Sequence, residues 1–267
     1  MKKLLQFCSI MALSAMLPLC AMAAETTSTS SESAKVSSAP EAKTPTVPDV
    51  SPEERARLEL IISDILIKKP EIISNSMMEY QRRQKEVNLE MGRKLVAQYA
   101  TSLFTPDGTS AILGNPKGKK VMVEFFDYNC GVCHNAATMV LDLVKSEPEL
   151  KVVMKELPIL GEESTYAAKM ALAARKQNKY SEFHVKLITA NQRLSLAKID
   201  DTAKDVGLNM DQLKKDMLDP EIEATLEKNR KLAMSLNLPG TPSFIIGETI
   251  FPGLPTKDAI LAAFDKK

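Results

Sequence analysis

Cys130 and Cys133 are the residues of this sequence whose type and spacing most clearly predict chemistry. They lie in the pentapeptide Cys130-Gly131-Val132-Cys133-His134, a pattern that fits two kinds of site. One is a haem attachment site, in which both cysteines bond covalently to haem and the histidine becomes an iron ligand. The other is a redox pair, in which the two thiols form and break a disulfide.

The sequence around the pentapeptide favours the redox pair. The run VMVEFF, residues 121–126, predicts a strand that leads into the motif, and the residues from Cys130 onward predict a helix. A haem domain of this kind usually supplies a second axial ligand, often Met, and the chain has 14 Met. However, a haem motif would be expected in the opening helix of a small helical domain, and this motif follows a strand.

The two thiols could also bind a metal ion. Zinc would need His134 and His184 in addition to the two thiolates, because a structural zinc site takes four ligands. Copper would need only the two thiolates, which are soft ligands suited to Cu(I). The redox interpretation needs neither metal, so it predicts that the protein uses no cofactor.

The two cysteines are expected to have different roles. Cys130 would lie at the N-terminus of the predicted helix, where unpaired backbone N–H groups and the positive end of the helix dipole stabilise a thiolate. His134 can add positive charge nearby. We therefore predict that Cys130 is an exposed nucleophile with a lowered pKa, and that Cys133, one turn deeper, resolves the mixed disulfide.

The first 23 residues have the pattern of a signal peptide. Lys2 and Lys3 precede a long apolar run, and small residues follow it up to a cleavage site near Ala23. An uncleaved membrane anchor is disfavoured because Gln6 and Pro18 interrupt the run. The protein is therefore expected to be exported.

The composition predicts a globular protein in which the two cysteines of the mature chain act together as a local pair. The chain has 267 residues, 44% of them hydrophobic, with 35 basic and 34 acidic residues, and this balance gives no attraction for nucleic acid. Removal of residues 1–23 takes away Cys8 and Cys20, so Cys130 and Cys133 are the cysteines of the mature chain. Because these two lie three positions apart, they do not crosslink a long loop.

Two segments are expected before the motif-bearing domain. Residues 24–50 are rich in Ser, Thr, Ala and Pro, which predicts a flexible linker. Helices are expected to begin after it, because Ser51 and Glu54 have the spacing of a capping box. Pro70 should end the first helix, and the second should continue to about Phe104.

The second helix carries a seam of apolar or neutral residues at steps of four and three: Ile73, Met77, Tyr80, Gln84, Val87, Met91 and Leu95. This pattern is close to a heptad repeat. Such a helix can pack on its own domain or associate with other copies of the chain, and the spacing does not decide between them. In the second case residues 51–103 form an N-terminal helical oligomerisation region.

Residues 104–267 predict a mixed α/β domain. Short apolar runs separated by turn residues predict its strands: TSAIL, VMVEFF, KVVMKELP, SFIIG and TIF. A helical block at about residues 162–237 separates the third run from the fourth, and a final helix follows the fifth. This order is that of a thioredoxin-like fold with a helical insertion.

Four segments together resemble a known family: VEFFDYNCGVC, KELPILGEES, AARKQNKYSEFH and LPGTPSFIIG. They are similar to the DsbA-like branch of thioredoxin-fold thiol–disulfide oxidoreductases, in particular to the ScsC-type and Com1-type periplasmic proteins. The resemblance covers about residues 55–265. In that family a short N-terminal helical region mediates oligomerisation, which favours a homo-oligomer formed through residues 51–103.

The resemblance implies roles for five residues. Cys130 would be the nucleophile and Cys133 the resolving thiol, and Glu124 would help proton transfer to Cys133. Thr241 and Pro242 would form the cis-proline loop that faces the cysteine pair and binds an extended substrate chain. Thr before this proline resembles the isomerase members more than the dedicated oxidases.

The function that the resemblance implies is that of a periplasmic disulfide isomerase or oxidase. Its partners would be folding or misfolded proteins that contain cysteine, and a membrane redox protein that resets the pair. The CGVC motif lacks the internal histidine of the strongest oxidants, which argues against extreme oxidising power. The sequence also leaves open a pure dithiol oxidase and a copper-binding protein that uses the same thiols.

Overall fold

The computed structural model describes residues 50–105, 108–190 and 192–265. The predicted signal peptide, residues 1–23, lies outside the described residues, as does the predicted linker up to residue 49. Within the described ranges, no helix is both long enough and apolar enough to cross a membrane.

The described strands form one sheet, and each corresponds to an apolar run that the sequence singles out. They are β1 (Ala111–Gly114), β2 (Lys120–Phe126), β3 (Leu150–Glu156), β4 (Ser243–Ile246) and β5 (Thr249–Pro252). Their order in the sheet is β1-β3-β2-β4-β5. Strands β2 and β3 are parallel, and the other neighbouring pairs are antiparallel.

Strand β2 lies at the centre of the sheet and leads to the CGVC motif. Helix α4 (Gly131–Ser146) follows and connects β2 to the parallel strand β3. Buried residues recur along α4 at helical spacing: Cys133, Ala136, Val140 and Leu143. The N-terminus of α4 therefore lies at the carboxyl end of the parallel strands, where α/β proteins commonly place their sites.

A helical insertion lies between β3 and β4. Its helices are α5 (Glu162–Ala174), α6 (Tyr180–Ile188), α7 (Leu196–Asp205), α8 (Met210–Asp216) and α9 (Pro220–Ser235). Ser195, Asn209 and Asp219 begin the last three, and each accepts a backbone hydrogen bond through its side chain. After the β4–β5 hairpin, helix α10 (Lys257–Asp265) ends the described chain.

The N-terminal helices begin and break close to the expected positions. Helix α1 (Pro52–Lys68) starts after Ser51, whose Oγ accepts a hydrogen bond from the Glu54 backbone N–H at 3.2 Å. Helix α2 (Glu71–Gln98) starts after Pro70. Most of α2 is exposed, including the seam residues Ile73 and Val87, which are 54% and 58% exposed.

The second helix does not run unbroken to Phe104. It ends at Gln98, and after Tyr99 a separate short helix α3 (Ala100–Phe104) begins. Val96 of α2 and Leu103 of α3 are buried in a cluster with sheet residues such as Val123 and Ile245. The chain breaks here because the apolar residues from Val96 onward turn to cover the sheet, so this end of residues 51–103 packs on the α/β domain.

Candidate active site

Cys130 occupies the N-cap position of α4. Its backbone is extended, and its Sγ accepts a hydrogen bond from the Cys133 backbone N–H at 3.3 Å. The protonated thiol donates to the carbonyl oxygen of Thr241, 3.2 Å away. The residue is only 6% exposed, so the expectation of an exposed nucleophile was wrong in degree. The reason is that the loop before β4 lies against the sulfur, with the Thr241 carbonyl oxygen in hydrogen-bond contact with it.

The surroundings of Cys130 stabilise its thiolate. They lower its pKa to about 6, first through hydrogen bonding with the Cys133 thiol, then through the Thr241 side chain and the backbone N–H groups of Cys133 and Val132. Burial acts in the opposite direction, because a charged sulfur is poorly solvated inside the protein. At neutral pH the thiolate, which is the nucleophilic form, therefore predominates.

Cys133 has the opposite character. It is fully buried on the inner side of α4. Its pKa is raised, first because its thiol is hydrogen-bonded to the Cys130 sulfur and then because burial disfavours its charged form. The negative charges of Cys130 and Glu124 act in the same direction. Cys133 therefore keeps its proton while Cys130 is a thiolate.

Glu124 lies on β2 and is buried, with only 4% of its surface exposed. This burial excludes a solvated carboxylate on the face of the strand. Its pKa is raised to about 8, first by burial and then by the negative charge of Cys130. Glu124 therefore holds a proton at neutral pH and exchanges it close to the pH at which the cysteines react.

Thr241 and Pro242 precede β4, and the peptide bond between them is cis. Strand β4 pairs antiparallel with β2, with Ser243 opposite Phe125. This register brings residues 241 and 242 next to the end of β2 and hence next to Cys130. The structure therefore brings Cys130, Cys133, Glu124, Thr241 and Pro242 into one site.

Asp127, to which the sequence assigned no role, organises two loops. Its Oδ1 accepts hydrogen bonds from the Asn129 backbone N–H and the Ser164 hydroxyl, both at 2.7 Å. Its Oδ2 accepts from the backbone N–H groups of Ile159 and Leu160 at 2.8 and 3.0 Å. The signal for it is an Asp directly after a buried strand, two residues before an Asn.

Glu156 was also missed, and it centres a buried polar cluster beneath the motif. Its Oε1 accepts from the Tyr180 hydroxyl at 2.8 Å, and the Tyr128 hydroxyl lies 3.4 Å from the same atom. Its pKa is raised well above the ordinary range, first by burial. The sequence signal was the acid in KELP at the end of a buried strand, but its partners lie 24 and 28 residues away.

His184 belongs to this cluster rather than to a metal site. Its Nδ1 lies 3.0 Å from the Tyr128 hydroxyl, and its ring stacks on that of Tyr180 with 5.5 Å between centroids. Burial lowers its pKa to about 3. The ring is therefore neutral at ordinary pH and contributes packing and one hydrogen bond.

His134 is held by the loop before the motif. Its Nε2 lies 2.6 Å from the carbonyl oxygen of Tyr128, and because a carbonyl only accepts, this nitrogen carries the proton. A metal at Nε2 would have to displace that hydrogen bond. Among the residues that the structure describes, no group of three or more His, Cys, Asp or Glu side chains is arranged to hold a metal ion.

Comparison with known proteins gives a consistent set of similarities. A family model described as the DSBA-like thioredoxin domain matches residues 121–265. The solved structure of a thioredoxin-like oxidoreductase from Silicibacter pomeroyi is 40% identical, with a TM-score of 0.60 over 62% of this chain and 95% of that chain. Proteus mirabilis ScsC in a transitional conformation is 26% identical, with a TM-score of 0.59 over 81% of this chain and 97% of that chain.

A relative known by sequence shows a similar likeness. A probable disulfide bond formation protein D of Bacillus cereus is 26% identical over 176 residues, which cover 60% of this chain and 79% of that protein. The residues that the family model matches include the strand before the motif, the CGVC helix and the loop before β4.

Proposed function

Because this chain belongs to the DsbA-like thioredoxin family, we propose that it is a periplasmic disulfide isomerase that also oxidises dithiols in folding proteins. The membership, the α/β thioredoxin-like fold with its helical insertion, and the assignment as a disulfide oxidoreductase are confirmed by the family match and the relatives. Proteins of this family act on cysteine-containing proteins and are recycled by a redox partner.

The reaction is proposed to start with Cys130. Its thiolate attacks one sulfur of a substrate disulfide, so that a bond forms between Cys130 and that sulfur while the second substrate sulfur leaves as a thiolate. The pKa of about 6 keeps Cys130 reactive at neutral pH. The observation that carries the proposal is this acidified sulfur at the N-cap of α4, next to a buried, protonated Cys133.

Two outcomes are then open to the mixed disulfide. In isomerisation, another thiolate of the substrate attacks the substrate sulfur that is bonded to Cys130. This attack forms a new disulfide within the substrate and releases Cys130 as a thiolate. In net reduction, Cys133 attacks Cys130, the substrate sulfur leaves as a thiol, and the protein gains the Cys130–Cys133 disulfide. Oxidation of a substrate dithiol is the reverse of this second path.

Glu124 is proposed to take the proton that Cys133 loses, acting in its ionised form. This form becomes more accessible in the mixed disulfide, because the negative charge of Cys130, which helps to raise the pKa of Glu124, is then absent. Burial prevents water from removing this proton directly, since Cys133 is fully enclosed. Glu124 is itself buried, its pKa of about 8 lies near working pH, and its charge acts on Cys133. A carboxyl group with these properties is suited to exchanging a proton with the attacking thiol.

Thr241 and Pro242 are proposed to bind the substrate backbone. The Thr241 carbonyl lies 3.2 Å from the Cys130 sulfur, so a chain bonded to that sulfur passes directly beside the loop. A backbone carbonyl in this position can accept a hydrogen bond from an extended substrate segment. Such binding depends on the backbone rather than on side chains, which suits an enzyme that acts on many proteins.

The N-terminal helices are proposed to hold several copies of the chain together. Large apolar side chains of α2 are exposed along the predicted seam: Ile73, Met77, Tyr80, Val87 and Met91. A helix with such a seam is stabilised by packing against a partner helix. Several sites on one assembly raise the local concentration of thiolates around a misfolded chain, which favours reshuffling.

The periplasmic location is proposed from the first residues of the chain and from its relatives. The charged start, the apolar run and the small residues up to Ala23 have the order of a cleaved export signal. A thioredoxin-like protein of Salmonella enterica whose structure is similar and which is 28% identical is periplasmic. Export to an oxidising compartment fits a protein whose mature cysteines are a single exchangeable pair.

A reshuffling assay tests the proposed activity. A model protein with scrambled disulfides is incubated with catalytic amounts of the wild-type protein, and recovery of its native activity is followed. We expect recovery with the wild type, none with Cys130→Ser, and trapped mixed disulfides with Cys133→Ser. A wild-type protein that oxidises model dithiols without accelerating reshuffling would instead be a pure oxidase.

The assembly is tested with matched pairs of substitutions on α2. Ile73→Lys with Val87→Lys places two charges in the seam, and Asn75→Lys with Leu89→Lys places two on the opposite face of the helix. Point substitutions are preferable to removal of residues 51–103, because that deletion would take Val96 and Leu103 out of the core. We expect only the seam variant to become monomeric by light scattering and to lose most reshuffling activity.

A further inference from the structure

A cleft of about 430 Å³ opens beside the CGVC motif. Two of its lining residues belong to the first turn of α4, and the others come from the loops after β2, β3 and α6. The lining residues are Asn129, Gly131, His134, Leu160, Gln192 and Arg193. The cleft therefore lies beside the first turn of the helix that carries Cys130 at its N-cap.

Each wall of the cleft is hydrogen-bonded to residues 127–129, the tripeptide that precedes Cys130. The Asp127 carboxylate holds the backbone N–H of Leu160 at 3.0 Å. The Tyr128 carbonyl holds the His134 ring at 2.6 Å. The Asn129 Oδ1 accepts from the Leu194 backbone N–H at 2.8 Å, next to Arg193. These hydrogen bonds give the cleft a fixed position relative to the reacting sulfur.

The chemistry of the lining is cationic and rich in donors. Arg193 is exposed, and the six lining residues include no acid. The Nδ2 of Asn129 is buried and has no hydrogen-bond partner among the described residues. A side chain at Gly131 would meet no atom within 4 Å, so the floor beside the nucleophile is open. A guanidinium with nearby amide donors is an arrangement suited to a carboxylate.

We propose that this cleft binds a carboxylate side chain next to the reacting cysteine of the substrate, with Arg193 as the residue that determines this specificity. The inference rests on the proposed function and names a substrate class for it. The charge of the Cys130 thiolate opposes a carboxylate before the attack, but this repulsion weakens as the new sulfur–sulfur bond forms and the charge moves to the leaving peptide sulfur. The preference therefore acts on the covalent intermediate and on the step that leads to it.

The test uses symmetrical disulfides of short peptides with Glu, Gln or Lys on both sides of a single cysteine. Reduced wild-type protein attacks one sulfur and releases one peptide thiol; Cys133 then releases the second, so the protein is oxidised by two electrons and the peptide disulfide is reduced. The measured quantity is the ratio of the second-order rate constants for the Glu and Lys peptides. Arg193→Gln and Arg193→Glu are compared with Lys214→Glu, which changes an exposed charge on α8 outside the cleft.

We expect the wild type to favour the Glu peptide by about five- to tenfold at low salt, with less preference as salt is added. Arg193→Gln should bring the ratio close to one, Arg193→Glu should invert it, and Lys214→Glu should leave it unchanged. A wild-type ratio near one, or a ratio that Arg193→Glu does not change, would overturn the inference and leave the proposed function in place. If none of the three peptides were reduced, the proposed function would be overturned and this inference with it.

Discussion

Replacement of Glu124 with Gln should stabilise the reduced protein, by an amount that increases with pH. In the folded protein the pKa of Glu124 is raised from 4.5 to about 8, mainly by burial. Between these values the unfolded chain carries an ionised Glu124 while the folded protein must keep it protonated. Stability is therefore lost as pH rises from about 4.5 to about 8. Gln has no proton to lose, so the variant avoids this loss.

The size of the stabilisation by Glu124→Gln follows from the shift in the pKa of Glu124. Each pKa unit corresponds to about 1.4 kcal/mol, so the full shift is worth about 5 kcal/mol above pH 8 and about 3 kcal/mol at pH 7. The variant and the wild type should be equally stable near pH 4.5. In the oxidised protein the charge of Cys130 is absent, so the difference should reach its maximum at a lower pH.

The assay is urea unfolding of the reduced proteins at several pH values from 4.5 to 8.5, with the free energy of unfolding compared pairwise. Glu149→Gln, which changes an exposed carboxyl between α4 and β3, serves as the matched control. A difference between Glu124→Gln and the wild type that does not change with pH would refute the reasoning, because it would show that Glu124 titrates alike in the folded and unfolded chains. In the same variant, mixed disulfides with substrate should accumulate, since Cys133 lacks its proton acceptor.

Three further substitutions test other parts of the site. Thr241→Val should raise the pKa of Cys130 above about 6 and destabilise the reduced protein, because it removes a side-chain hydrogen bond to the Cys130 thiolate. Equilibration with glutathione should then show a less oxidising protein, and an unchanged redox potential would contradict this. The wild type should lose about 4 kcal/mol of stability as pH falls from about 6.5 to 3.5, because the buried His184 ring binds its proton only near pH 3, and His184→Gln should not show this loss. Thermal unfolding with equal acid sensitivity in both proteins would exclude this role of His184. Asp127→Asn should lower the free energy of unfolding by about 3 kcal/mol at pH 7, because one amide cannot accept all four hydrogen bonds that the Asp127 carboxylate accepts. A loss below about 1 kcal/mol in urea unfolding would show that these hydrogen bonds do not stabilise the two loops as inferred.

The parts of the fold that the sequence predicts well are those set by local pattern. The strands follow from short apolar runs, and the position of Cys130 at a helix N-terminus follows from the strand before it. The break of α2 at Tyr99 could not be read from the seam, because it depends on the burial of Val96 and Leu103 against the distant strands β2 and β4.

The same distinction applies to the site. The spacing of Cys130 and Cys133 was sufficient to single out these two cysteines, but the resemblance was needed to include Thr241, which is 111 residues from Cys130. Asp127 and Glu156 were missed because their effects arise from tertiary contacts. A carboxylate in a sequence looks the same whether it is solvated or buried, and only the folded chain shows that Glu156 lies among aromatic side chains.

The most direct test of the central claim is the rate of alkylation of the reduced protein as a function of pH, with the modified cysteine identified by mass spectrometry. We predict that modification occurs at Cys130, with a rate that rises through a midpoint near pH 6, while Cys133 stays unmodified in the folded protein. Cys133→Ala should react at Cys130 as well, with its midpoint at higher pH, because the variant lacks the hydrogen bond from the Cys133 thiol. If Cys133 were the reactive thiol, or if Cys130 reacted with a midpoint near its ordinary value of 9.0, the assignment of nucleophile and resolving thiol would be contradicted.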